Sequence, residues 1–248
     1  MFADFIMPYN PNEISRNEAL LPPSPNHLFG TDDLGRDVFS RLIYGCRISL
    51  RVALLAVLIG MGIGVPLGLL AGYLGFVVDN GIMRVMDVLL AFPDILLALV
   101  VISVLGMGIE NVTIALGITS MPIFVRLIRG NVLSIRELPY VEAAKATGER
   151  GSRIILQEIL PNCATTIIVQ ATLTVAYAIL AEAALSYLGL GTLPPTASWG
   201  RMLSEGQPLL LRAPWISIFP GLACMMAVLS VNLFADGLSD ALNPQAGE

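Results

Sequence analysis

Five stretches of this chain, at about 48–73, 88–107, 111–128, 163–188 and 215–235, are apolar almost without interruption. A helix needs about 20 such residues to cross the hydrocarbon core of a bilayer, because each adds about 1.5 Å of rise. Lipid offers no partner to a backbone N–H or C=O, so segments of this length satisfy their own backbone as helices. The pattern predicts an all-α, polytopic membrane protein with about five transmembrane helices. Only 13% of the 248 residues are charged, where a soluble domain carries about 25%.

The spans have internal features of their own. In the first, Gly60, Gly64, Gly68 and Gly72 recur every four residues and line one helix face. That spacing lets another backbone approach closely, so the stripe is read as a packing face. Pro66 adds a kink. A short connection from Gly75 to Asp87 carries Asp79, Arg84 and Asp87, and Gly106 with Gly108 makes a tight turn between the second and third spans. The fourth span carries Gln170 and Glu182, polar groups where polarity is costly and points by default to function. Glu182 lies near the end of its span, just before the glycine-rich Ser186–Gly191 stretch, so structural and pathway roles stand level for it.

The longest polar interruption runs through Tyr140-Val141-Glu142-Ala143-Ala144-Lys145-Ala146-Thr147-Gly148 to Ile159-Leu160-Pro161. Pro139 suits the first turn of a short helix, where its missing N–H costs nothing. Ala143, Ala144 and Ala146 favour that helix, and Gly148 is placed to end it in a left-handed cap. A second apolar helical run follows and is expected to stop at Pro161. The bland alternative is a solvated connection. The length of the segment and its alanine-smooth, charge-flanked helix suit insertion into a partner's groove better.

The order Glu-Ala-Ala, three residues, Gly, then Ile-Leu-Pro resembles the coupling loop of ABC importer permeases. Further runs resemble one subfamily, the C-type permease of dipeptide, oligopeptide, glutathione and nickel importers. They are His27 to Arg41, Asp87 to Pro93, Glu182 to Gly191, Pro194 to Gly200 and Asn232 to Pro244, so the resemblance covers nearly the whole chain. It implies a transmembrane subunit in a bacterial inner membrane, paired with a homologous B-type permease above two cytoplasmic ATPases and fed by an extracytoplasmic binding protein. It also implies roles in ATPase coupling for Tyr140, Glu142, Ala143, Ala144, Gly148, Ile159, Leu160 and Pro161. Short peptides are the expected cargo, with nickel or another chelated metal as the alternative.

Six of the fourteen basic residues, Arg126, Arg129, Arg136, Lys145, Arg150 and Arg153, fall in or beside the central segment, which the positive-inside rule puts in the cytoplasm. The expected organisation is an extracytoplasmic segment 1–47, a transmembrane domain 48–236 with its coupling loop at 129–161, and a cytoplasmic tail 237–248. Arg36, Arg41, Arg47 and Arg51 argue the other way for the N-terminal segment. Family members begin with one more span ahead of the outer segment that starts here at Pro8-Tyr9-Asn10-Pro11. Met1 is therefore expected to be a late or misassigned start, with Phe2–Met7 the tail of a lost span. His27 is expected at the surface, and Trp199 and Trp215 as membrane-interface anchors.

Other classes fit less well. The single lysine, Lys145, follows Ala144, so the chain lacks the Gly-Lys-Ser/Thr of a phosphate-binding loop. ATP and its magnesium belong to partner subunits, and no cofactor is expected here. Cys46, Cys163 and Cys224 are scattered without metal-ligand spacing. A net charge of −5 does not suggest nucleic acid. A secondary transporter would show repeats or paired ion-coupling residues, and a membrane enzyme a catalytic motif; neither is present.

Overall fold

The apolar segments form long helices in the computed structural model, which describes residues 6–242. Among them the chain is helical or irregular, with a single bridge pairing Thr31 and Asp37. The main helices are α1 (Val38–Tyr73), α2 (Phe76–Leu90), α3 (Asp94–Leu105), α4 (Ile109–Ile135), α5 (Pro139–Ala146), α6 (Gly151–Tyr187), α7 (Trp199–Gly206) and α8 (Trp215–Leu242). Helices α1, α4, α6 and α8 are each long and apolar enough to cross a membrane, and the bent pair α2–α3 brings the number to five when it is counted as one span. Residues 2–5 of the expected tail of a lost span lie outside the described residues, as does the end of the Asn232–Pro244 run.

Several boundaries differ from expectation for physical reasons. Helix α1 has 36 residues, about 54 Å at 1.5 Å per residue and well beyond the roughly 30 Å hydrocarbon core. It starts at Val38 rather than near 48, capped by Asp37, whose carboxylate accepts from the Ser40 N–H at 2.8 Å. The expected loop at 75–87 is the helix α2. The expected span 88–107 is broken at Ala91-Phe92-Pro93, where α2 and α3 meet at 95°. Pro93 supplies no N–H and drives Phe92 out of helical conformation. Pro161, by contrast, does not stop its helix. A π-helical turn, Ile154–Ile159, immediately precedes it. That wider turn gives room for the proline ring and its lost hydrogen bond.

The chain divides into two compact units. The first runs to Leu55 and takes in Val101–Ile114 and Val175–Val231. Its small core gathers Val38, Ala197, Met202, Ala213 and Ile216, and Phe29 stacks on Phe219 with ring centroids 3.9 Å apart. Trp199 is buried there and donates its indole N–H to Leu42 O at 3.1 Å; Trp215 donates to Thr31 O at 3.1 Å. Trp199 is thus enclosed by the fold, which corrects the anchor expectation for it, while the half-buried Trp215 begins the span-length α8.

The second unit takes Ala56–Val100, Ala115–Thr174 and the chain from Asn232. There the glycine stripe of α1 lies against α4. A Cβ built on Gly60 would sit 2.1 Å from Ser120 Oγ, on Gly64 2.7 Å from Phe124 Cβ, on Gly68 2.8 Å from Val125 O, and on Gly72 2.6 Å from Val132 Cβ. At each of the four a side chain would force a neighbour on α4 to shift. On the same helix Gly62, off the stripe, meets nothing within 4 Å. Arg129 pairs with Asp79, Arg126 with Asp87 at 2.8 Å, and Arg136 Nη1 donates to Gly72 O at 2.9 Å, tying α2 and the end of α1 to α4.

Candidate functional site

Helix α5 starts at Pro139 after the extended Leu138, whose φ of −78° and ψ of 145° end the preceding segment. Val141 is fully buried and anchors it, while Tyr140, Glu142, Ala143 and Lys145 are exposed and Ala144 is half-buried. The carboxylate of Glu142 has no ion-pair partner among the described residues. The Tyr140 phenol is raised above its ordinary pKa, chiefly by desolvation and then by the nearby Glu158 and Cys163. It stays protonated at neutral pH and can donate a hydrogen bond.

The helix ends in a Schellman cap. Glu149 N donates to Ala144 O at 3.1 Å and Gly148 N to Lys145 O at 3.0 Å. Gly148 sits at φ +82°, where a side chain is strained, yet a Cβ there would meet nothing within 4 Å. Conformation, not crowding, therefore demands glycine at this position. The chain turns back at Gly151, which packs against the Tyr73 ring. Ile154 and Ile159 are then buried, Leu160 is half-buried and Pro161 exposed. An open cleft of about 670 Å³ lies between Thr147 and Gln157. It is edged by Glu149, Arg150 and Arg153, with Arg153 Nε held to Gln157 Oε1 at 2.7 Å. The segment thus offers a short exposed helix with one carboxylate, small side chains and a fixed bend, set directly before a span. That arrangement can receive a groove-bearing partner.

The two intramembrane polar residues sit in different surroundings. Glu182 is completely buried, accepting from Ser49 Oγ and Ser186 Oγ at 2.7 Å each, with Ser198 as a further donor. Its hydroxyl partners come from α1, from α6 itself and from the residue that caps α7. Gln170 is half-buried and bonded within its own helix, Nε2 to Thr174 Oγ1 at 3.2 Å.

Sequence reasoning missed a buried charge cluster. Arg36 Nε donates to Asp32 at 2.6 Å, and Arg36 and Arg41 both reach Glu205, at 3.2 and 2.9 Å. Arg201 holds the other Glu205 oxygen at 2.9 Å. The side chains of Asp32, Arg36 and Arg41 are at most 5% exposed. His27, expected at the surface, is buried beside it, with Nδ1 2.9 Å from Asp37 and its ring against Tyr9. The signal was the density of charge in 27–41, but its partner Glu205 lies more than 160 residues away.

The fold is that of a polytopic helical membrane component. Residues 64–247 match the family described as binding-protein-dependent transport system inner membrane component. The chain is 46% identical over 245 residues to the dipeptide transport system permease protein DppC of Alkalihalophilus pseudofirmus, covering 99% of this chain and 81% of that one. It is 44% identical over 245 residues to the glutathione transport system permease protein GsiD of Pectobacterium atrosepticum, covering 98% and 81%. Among solved structures, a chain of the MetNI methionine ABC transporter in inward-facing conformations superposes with a TM-score of 0.67 at 16% identity, over 82% of this chain and 96% of that chain. At that identity the likeness speaks for the fold alone. The chain belongs to the family of inner-membrane components of binding-protein-dependent transport systems.

Proposed function

We propose that this chain is the transmembrane permease subunit of an ATP-driven importer of short peptides, di- or oligopeptides or glutathione, in a bacterial inner membrane. It forms half of the translocation pathway beside a homologous B-type permease. Two cytoplasmic ATPases drive it, and an extracytoplasmic binding protein delivers the cargo. The N-terminal segment lies outside, the segment 129–161 and the C-terminal tail inside.

The observation that carries the coupling part is the exposed, capped helix α5. Ala143 and Ala144 allow a groove to close over it, Glu142 offers a carboxylate to a basic residue of the ATPase, and Gly148 sets the angle. The rigid bend and the buried Ile154 and Ile159 carry motion into α6. ATP is thereby linked to two packings of the same helices. The glycine stripe keeps α1 and α4 together through that change. The peptide part rests on the identity to dipeptide and glutathione permeases across almost the whole chain. A transporter independent of ATP gives the exposed helix no task.

The test is ATPase activity of the reconstituted complex with its binding protein loaded in turn with dipeptides, glutathione and a nickel chelate. Stimulation by peptides or glutathione is expected. Stimulation by the nickel chelate alone moves the assignment to metal import, and no stimulation by any of the three overturns it.

A further inference from the structure

Two open clefts in the second unit share Leu127 and Gln170. One, of about 480 Å³, lies between α4 and α6 and is lined by Leu90, Pro122, Arg126, Asn131 and Gln170 among others. The other, of about 490 Å³, adds Asn162, Thr165, Thr166 and Ser239 from α6 and α8. Each falls in the range of small-molecule sites, about 300–1,000 Å³, which combine apolar walls with a few placed polar groups.

The polar groups here are of a particular kind. Gln170 is a carboxamide within the apolar part of α6, where a polar side chain points to function, and Asn131 is a second carboxamide near the C-terminal end of α4. The Asn131 side chain has no hydrogen-bond partner among the described residues. Gln170 uses only its Nε2, leaving its Oε1 to accept. A carboxamide can donate and accept at once, which matches a peptide bond whatever its side chains. At the edge of the first cleft stands Arg126. It is paired with Asp87 at 2.8 Å, and the two side chains are 56% and 57% exposed, so the pair is not enclosed by the chain and a competing carboxylate can reach the guanidinium. A guanidinium has five donors in a planar fork, suited to two-point contact with a carboxylate.

We infer that this trough is a binding site for short zwitterionic peptides, read through their backbone: Arg126 takes the C-terminal carboxylate in place of Asp87, and Asn131 and Gln170 pair with the peptide bond. The inference rests on the peptide reading above and adds the site and its recognition chemistry. Side chains would lie along Leu90, Pro122 and Leu127, which impose no order of residues. Such a site selects the ends and the backbone of the cargo and tolerates its sequence.

The experiment uses the assembled transporter in nanodiscs without the binding protein, probed with radiolabelled alanylalanine. Unlabelled alanylalanine and alanylalaninamide are the competitors. Saturable binding in the millimolar range is expected, with the amide competing about tenfold more weakly because it lacks the carboxylate. Arg126→Gln, at an exposed position, should erase the difference between the competitors. Asn131→Leu and Gln170→Leu should weaken both alike and keep it. Equal competition by the amide in the wild type, a difference that survives Arg126→Gln, or no saturable binding overturns the inference. Import of alanylalanine with the binding protein present is measured alongside. Import without binding in nanodiscs sinks the site alone, whereas no import of any peptide sinks the peptide reading with it.

Discussion

Two charge-rich segments of this protein, 27–41 and 136–153, treat their charges in opposite ways. In the first, Asp32, Arg36 and Arg41 are buried and matched by each other and by Glu205, and the buried Asp37 is matched by His27 and the Ser40 N–H. In the second, Glu142, Lys145, Arg150 and Arg153 face solvent, and Glu142 is unmatched among the described residues. Burying ions costs several kcal/mol each unless every donor and acceptor is paired, so the first segment is fixed once folded. Exposed ions are weakly held and remain open to a partner. One region is finished by its own sequence; the other, on the function proposed above, is left for another subunit to complete.

The largest effect should come from breaking the buried side. Arg41→Ala leaves Glu205 and Asp32 partly uncompensated in a dry setting and should cost about 3–5 kcal/mol. In detergent this reads as a large drop in unfolding midpoint, with little protein reaching the membrane in the cell. A smaller effect is expected at the bend. Gly148→Ala meets no neighbour but must hold a φ of +82°, a strain of about 1–2 kcal/mol confined to the cap. Insertion should survive while peptide-stimulated ATPase activity and uptake fall together. The smallest change in stability belongs to Glu142→Gln, within about 0.5 kcal/mol at an exposed site. Uptake should nonetheless drop. If Glu142→Gln transports normally, the second segment loses its claim to be a docking surface and the contrast reduces to burial alone.

Much of this was legible beforehand. The helical nature of the chain, the short helix after Pro139, the left-handed Gly148 and the every-fourth glycine face all follow from local rules that act over a turn or two. What escaped was non-local or depended on backbone detail. Pro93 and Pro161 look alike in sequence, yet one breaks a span at 95° and the other is absorbed by the π-turn before it. The expected loop at 75–87 is a helix whose Asp79 and Asp87 find arginines on α4, about fifty and forty positions away respectively. Trp199 and His27 read as surface residues because nothing near them in sequence shows the carbonyl of Leu42 or the carboxylate of Asp37 as partners. The pairing of Arg41 with Glu205 needs the whole first unit to exist.

The glycine face of α1 leaves a mark on how this chain can change over generations. At residues 60, 64, 68 and 72 every substitution adds atoms where another helix already stands, and overpacking of that kind costs about 1–3 kcal/mol. At Gly62 the same change meets open space. Drift along this helix should therefore keep a rhythm of four, with frozen positions spaced by free ones. Escape from a frozen position would need a simultaneous loss of bulk on α4, at Phe124 facing Gly64 or Val132 facing Gly72. The two helices are thus bound to vary as a pair, and the freedom to diversify cargo or partners lies with the surfaces that leave this seam untouched.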